Sequence, residues 1–137
     1  MKIDITGVEN IEAMLDERMN EIENIDVVIG RACALVERSA KQKAPAGTGE
    51  LRRSITSKVI RLGNRIEGVV FTPVEYAPYV EFGTGLFAEN GGRSDVPWVY
   101  RADNGEFYST YGMHPQPFMR PAFNENKAQI IKMLKGV

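Results

Sequence analysis

Residues 75–85 read EYAPYVEFGTG, and the way this stretch is read decides the fold. Two tyrosines, a valine and a phenylalanine stand between two glutamates and stop at a Gly-Thr-Gly turn, which is too apolar for an ordinary loop. Read as a helix, Tyr76, Tyr79, Val80 and Gly83 share one face, and Pro78 falls in the first turn, where its missing N–H costs nothing. Read as a strand, Val74, Tyr76, Pro78, Val80 and Phe82 alternate with Glu75, Ala77, Tyr79 and Glu81, but proline then sits mid-strand, tolerated only at an edge. The short helix is the preferred reading. In both, Glu75 and Glu81 look away from the aromatic side, as solvated glutamates or as partners for arginines of a neighbour.

Upstream, residues 8–23 carry Ile11, Met14, Leu15, Met19 and Ile22 at helical spacing with acids on the other side, after a start, Lys2–Thr6, that reads as extended. A break near Asn24 leads to a second helix over about 25–44, with Ile25, Val28, Ile29, Ala32, Cys33, Val36, Ser39 and Ala40 in one stripe. Pro45 stops it. Residues 53–62 and 65–72 read as two strands around Gly63-Asn64; the second, apolar on both faces, belongs inside the sheet and the more polar first beside it. Charge is unevenly spread along this half. Residues 1–30 hold eight acids and two bases, net −6, whereas residues 31–65 hold nine bases and two acids, net +7. The two are complementary within one subunit, between copies, or through nucleic acid on the basic part.

Downstream, residues 84–96 read as a flexible polar loop. PWVYRA and EFYSTY then flank Asp103-Asn104-Gly105 in a second hairpin crowded with Trp98, Tyr100, Phe107, Tyr108 and Tyr111. An isolated two-stranded hairpin is marginal in water. Segment 86–112 is therefore expected to be an arm, loose in the free subunit and ordered when Trp98, Tyr100 and Phe107 pack on a neighbour, in preference to folding back on the subunit's own core. Prolines 115, 117 and 121 hold an extended approach to a last helix, whose apolar face is Phe123, Ile130, Ile131 and Leu134.

The bulk properties narrow the function classes. At 137 residues the chain fits one domain with a sizeable core, and 43% hydrophobic with 26% charged residues is an ordinary globular balance. No apolar run reaches the ~18 residues of a membrane span, and the start lacks a signal-peptide layout, so an intracellular product, or something assembled inside a cell, is expected. Cys33 alone forms no internal disulfide. A single histidine, His114, offers no metal-site spacing, and the two Gly-Thr-Gly turns, 47–49 and 83–85, match no phosphate-loop pattern. No catalytic, metal or cofactor-binding set can be assembled. The segment LRRSITSKVIRLGNR, 51–65, holds five bases and no acid, a footprint suited to phosphates, though without aromatics for base stacking.

Three stretches in order, KQKAPAGTGELRRSI (41–55), EYAPYVEFGTG (75–85) and PQPFMRPAF (115–123), resemble the minor tail-component, or neck, family of long-tailed phages, typified by gene product ten of a lambdoid phage. The matching positions are Ala44, Pro45, Thr48, Gly49, Leu51, Arg52, Ser54 and Ile55; then Tyr76, Ala77, Tyr79, Glu81, Gly83 and Thr84; then Pro115, Pro117, Phe118, Pro121 and Ala122. Residues 86–112 depart from the pattern. The resemblance implies a non-enzymatic virion protein, made in the host cytoplasm, that forms a homo-oligomeric ring at the neck or tail end. Its implied partners are neighbouring head-completion and tail proteins and, non-specifically, DNA passing through the channel.

The expected architecture is α+β: two N-terminal helices and a C-terminal helix on a small antiparallel sheet of about four strands, with an extra hairpin arm. Contact candidates are Tyr76, Tyr79, Glu81, Phe82, Arg52, Arg53, Trp98, Tyr100, Phe107 and Phe118. The runner-up function is a small nucleic-acid-binding accessory protein using Arg52, Arg53, Lys58, Arg61 and Arg65, and a weaker third is a hydrolase or nuclease.

Overall fold

The computed structural model describes residues 2–4, 25–47, 49–89, 91–92 and 95–135. The expected helix over 8–23 lies outside them. Ten elements follow in order: β1 (Lys2–Asp4), α1 (Ile25–Lys43), α2 (Glu50–Ser54), β2 (Thr56–Leu62), β3 (Arg65–Phe71), α3 (Ala77–Phe82), a 3-10 turn (Gly85–Phe87), β4 (Trp98–Arg101), β5 (Phe107–Thr110) and α4 (Met119–Lys135). They belong to two compact units, one made of the chain up to Val74 with everything from Phe118 on, the other of Glu75–Pro117. The class is α+β. Three strands, where about four were expected, make the sheet of the first unit, and a separate two-stranded pair belongs to the second.

In the first unit, α1 buries the stripe its spacing foretells, from Ile25 and Val28 through Ala32, Cys33 and Val36 to Ser39 and Ala40. Asp26 in its first turn and Lys41 and Lys43 in its last suit the helix dipole. Ala44 precedes Pro45, where the proline ring disfavours further helix. The chain then turns through Gly49, whose φ of +82° suits glycine, into α2. Residues 53–54, expected as the start of a strand, complete this helical turn. Here the Arg52 guanidinium donates to the Ala44 carbonyl at 2.9 Å, holding the end of α1 against α2. The Ser54 and Thr72 hydroxyls meet at 2.7 Å, tying the entry of β2 to the exit of β3. Leu51 and Ile55 are buried between these fastenings.

β3 runs in the middle, antiparallel to β1 on one edge and to β2 on the other. Alternation puts Ile66, Gly68 and Val70 on one face, and all three are buried; Val69, on the other face, is buried too. That is the two-sided burial its apolar run predicts. β2 is largely exposed, as its polar sequence predicts. Gly63, at φ +60°, makes the two-residue turn between them.

α4 begins with Pro121 in its first turn and buries Met119, Ala122, Phe123, Ile130 and Leu134. It packs along α1, and Lys43 reaches Glu125 at 2.6 Å across the pair. Ile131 is only half-buried, so the apolar face is narrower than expected at that position.

Phe118, a contact candidate from sequence, is completely buried and is the largest of the fully buried side chains among the described residues. It is part of the core and cannot meet a neighbour. Its truncation, Phe118→Ala, should cost about 3–5 kcal/mol, the usual range for a buried phenylalanine. Urea unfolding checks this, and an unchanged midpoint would show that the site is not packed as described.

Candidate assembly surface

The stretch 75–85 forms a short helix. Tyr76 caps α3, its carbonyl accepting from the N–H groups of Tyr79 and Val80 at 3.1 and 3.2 Å, and Pro78 sits in the first turn. Gly83, at φ +82°, ends it. The helix sorts its side chains differently from the expected aromatic face. Tyr76 and Tyr79 are exposed, Tyr79 at 59%, while Val80 is buried with Ala77 and Phe82 is half-buried.

Glu81 is the larger correction. The sequence reading has it solvated or paired with arginines of a neighbour, yet it is 0% exposed, whereas Glu75 is exposed. Placed one residue after Val80 and four after Ala77, it shares the inward side of the helix. No buried side-chain polar atom among the described residues lacks a hydrogen-bond partner, so its carboxylate is accommodated and serves the fold.

Beyond α3 the Gly-Thr-Gly turn runs alongside residues 111–113. Thr84 N–H donates to the Met113 carbonyl at 2.9 Å, Met113 N–H donates to the Thr84 hydroxyl at 2.9 Å, and Leu86 N–H donates to the Tyr111 carbonyl at 2.8 Å. The approach is so close that a Cβ on Gly85 would strike the Tyr111 carbonyl and the Trp98 ring, and one on Gly112 would strike the Thr84 carbonyl. Residues 84–88, read from sequence as loop, are thus held on both sides. Phe87 stacks on His114 with ring centroids 3.8 Å apart, and Gln116 N–H donates to the Val80 carbonyl at 2.8 Å. These bonds occupy the lone histidine and the proline-rich approach in local structure.

β4 and β5 form the hairpin expected from Asp103-Asn104-Gly105. Its turn is not the mirror-image two-residue type usual for Asn-Gly, because only Gly105 has positive φ, at +84°. Gly105 N–H donates to the Ala102 carbonyl and Ala102 N–H to that of Glu106, both at 2.9 Å, enclosing a three-residue loop. Pairing Tyr100 with Tyr108 and Arg101 with Phe107 sends these pairs to opposite faces. Val99 at 66% and Phe107 at 70% lie bare on one face, and Tyr100 and Tyr108 are exposed on the other. Trp98 differs from its two companions. Half-buried, it lies against Gly85 and, with Pro78, Tyr79 and Phe82, lines an apolar groove of about 470 Å³. It anchors the hairpin within the unit, leaving Tyr100 and Phe107 as the outward pair.

The basic segment fares less well as a phosphate track. Arg52, Arg53, Lys58, Arg61 and Arg65 are all exposed. Strand alternation nevertheless puts Lys58 and Arg61 on opposite faces of β2. Lys58 lies 5.2 Å from the Phe71 ring centroid, and Arg65 pairs with Glu67 at 3.1 Å. The described residues contain no group of three His, Cys, Asp or Glu side chains able to hold a metal, and no helix long and apolar enough to cross a membrane.

Burial of Glu81 makes Glu81→Lys a folding defect, since it leaves a buried, unpaired charge at a cost of about 3–5 kcal/mol, while Glu81→Gln keeps the shape and loses less. Soluble yield and thermal melting distinguish the two. A lysine variant as stable as the wild type contradicts the placement of this side chain.

Comparison with known protein families matches residues 8–83 to the HK97-gp10-like family, described as "Bacteriophage HK97-gp10, putative tail-component". The match takes in the first motif and the second as far as Gly83, and leaves out the hairpin and the third motif. No curated protein and no solved structure matches the chain.

Proposed function

We propose, from the premise that the chain belongs to the HK97-gp10-like family of phage tail components, that it is a non-enzymatic virion protein of the neck or tail end. In this reading it is made in the host cytoplasm and works by assembling into a ring of identical subunits that joins or completes the tail. Neighbouring head-completion and tail proteins are its further partners, and DNA in the channel is a non-specific one.

One observation carries the assembly part of the reading: the β4–β5 hairpin is bare on both faces, with Val99 and Phe107 on one and Tyr100 and Tyr108 on the other. A two-stranded ribbon gains little stability by itself, and large exposed apolar side chains grouped in one place mark contact surfaces. Tyr76 and Tyr79 add exposed aromatics to the same unit. Such a surface, used once per copy against a different surface of the next copy, gives the head-to-tail contact from which rings close. The nucleic-acid reading is weaker, because β2 divides its basic side chains between two faces.

Tyr100→Ser and Phe107→Ser should leave thermal stability nearly unchanged, as exposed substitutions do, while weakening self-association by about tenfold each, the effect of removing an aromatic anchor from an interface. Sedimentation velocity gives the association and calorimetry the stability. Undiminished assembly by both folded variants would remove the hairpin from the interface. For DNA, a salt titration showing a steep loss of tight binding would favour the nucleic-acid reading instead.

A further inference from the structure

We infer that a groove between α1 and α4 receives the acidic amphipathic segment 8–23 of a second copy of this chain. The inference rests on the assembly reading above and names a contact outside the hairpin. Two adjoining hollows of about 280 and 570 Å³, sharing Leu35 and Arg38, run between the helices. The smaller has Ala34, Leu35 and Met133 as its apolar lining, with Arg31 and Arg38 beside them. The larger holds Lys43, whose charge is already engaged by Glu125 at 2.6 Å. Arg31 and Arg38 differ: both are exposed, and neither has an ion-pair partner among the described residues. Val27, one turn before Arg31, is exposed as well. Opposite its buried stripe, α1 therefore presents a second row of Val27, Arg31, Ala34, Leu35 and Arg38 that mixes apolar and positive groups.

The occupant follows from charge and spacing. Arg31 and Arg38 are two helical turns apart, about 10 Å along the axis at 1.5 Å per residue. In segment 8–23, Glu9, Asp16 and Glu23 recur at the same seven-residue interval, and helical spacing sets that acidic row beside an apolar one of Ile11, Leu15, Met19 and Ile22. An acidic row flanking an apolar row is the counterpart of the arginine row flanking Leu35 and Met133. Two carboxylates of the segment match both arginines at one register, while its apolar row meets the groove's lining. A phosphate backbone has no use for that apolar lining. Each copy supplies one groove and one segment, so the contact is heterologous and repeats around a ring.

The test uses the full chain and two double variants, Arg31→Glu with Arg38→Glu in the groove, and Asp16→Arg with Glu23→Arg in the segment. Sedimentation velocity over a concentration series should show each variant alone associating about tenfold more weakly or less tightly still, the size of effect expected when like charges are juxtaposed. An equimolar mixture should recover association, because each reversed groove then meets a reversed segment and each native groove a native one. Arg31→Gln with Arg38→Gln removes the charges without reversing them; a loss of about threefold without rescue is expected, and this pair serves where reversal unfolds the chain. Wild-type association by a folded groove variant overturns the inference and leaves the ring reading standing. Weakened variants that fail to recover on mixing overturn it too, since the contact is then within one subunit. Loss of duplex-DNA binding in the groove variant, with self-association unchanged, assigns the arginines to nucleic acid instead. A wild-type chain that stays monomeric at every concentration overturns both readings together.

Discussion

Keeping β3 dry is the constraint on which the first unit depends. A strand with Ile66, Gly68 and Val70 buried on one face and Val69 on the other needs cover on both sides and a paired strand at each edge. The edges come from β1 and β2. α1 meets the sheet through its buried stripe, and α4 packs on α1 in turn. The Arg52 bond to Ala44 and the Ser54–Thr72 pair close the connections at the ends of these elements, so the geometry of the turn is a matter of fastening α1 to the sheet.

The second unit depends on a different constraint, the close passage of Gly83–Gly85 beside residues 111–113. Glycine is required there because a side chain would occupy the space of the facing backbone. With the two segments bonded, Trp98 settles against Gly85 and the hairpin projects from a fixed base. That explains how a ribbon with both faces bare is held to the rest of its own unit. The stem is ordered by backbone hydrogen bonds and one indole, and the outer side chains, Val99, Tyr100, Phe107 and Tyr108, are exposed.

Basic charge concentrated in residues 31–65 is divided by the fold among α1, α2 and the two faces of β2. What reads as one basic segment becomes several small positive surfaces of different orientation. A continuous polyanion, whose affinity grows with the number of phosphates neutralised together, gains less from charges divided in this way.

Periodicity and turn chemistry alone determined much of this molecule: the α1 stripe from Ile25 to Ala40, the hairpins at Gly63-Asn64 and Asp103–Gly105, the central position of β3, and the α3 helix with Pro78 in its first turn. Each is a local pattern enforced by backbone geometry, which is why it can be read from neighbouring residues. Tertiary structure alone decided which side chains of those elements face inward. Glu81 and Tyr79 both occupy a six-residue helix, where two or three faces are compatible with the spacing, and only the packing around it buries the carboxylate and exposes the tyrosine. Phe118, Trp98 and Phe107 are all aromatics in plausible contact motifs, yet one is core, one an anchor and one bare. Their difference arises from segments distant in sequence, Gly85 against Trp98 above all, and no local pattern encodes which distant backbone comes close enough to cover a ring.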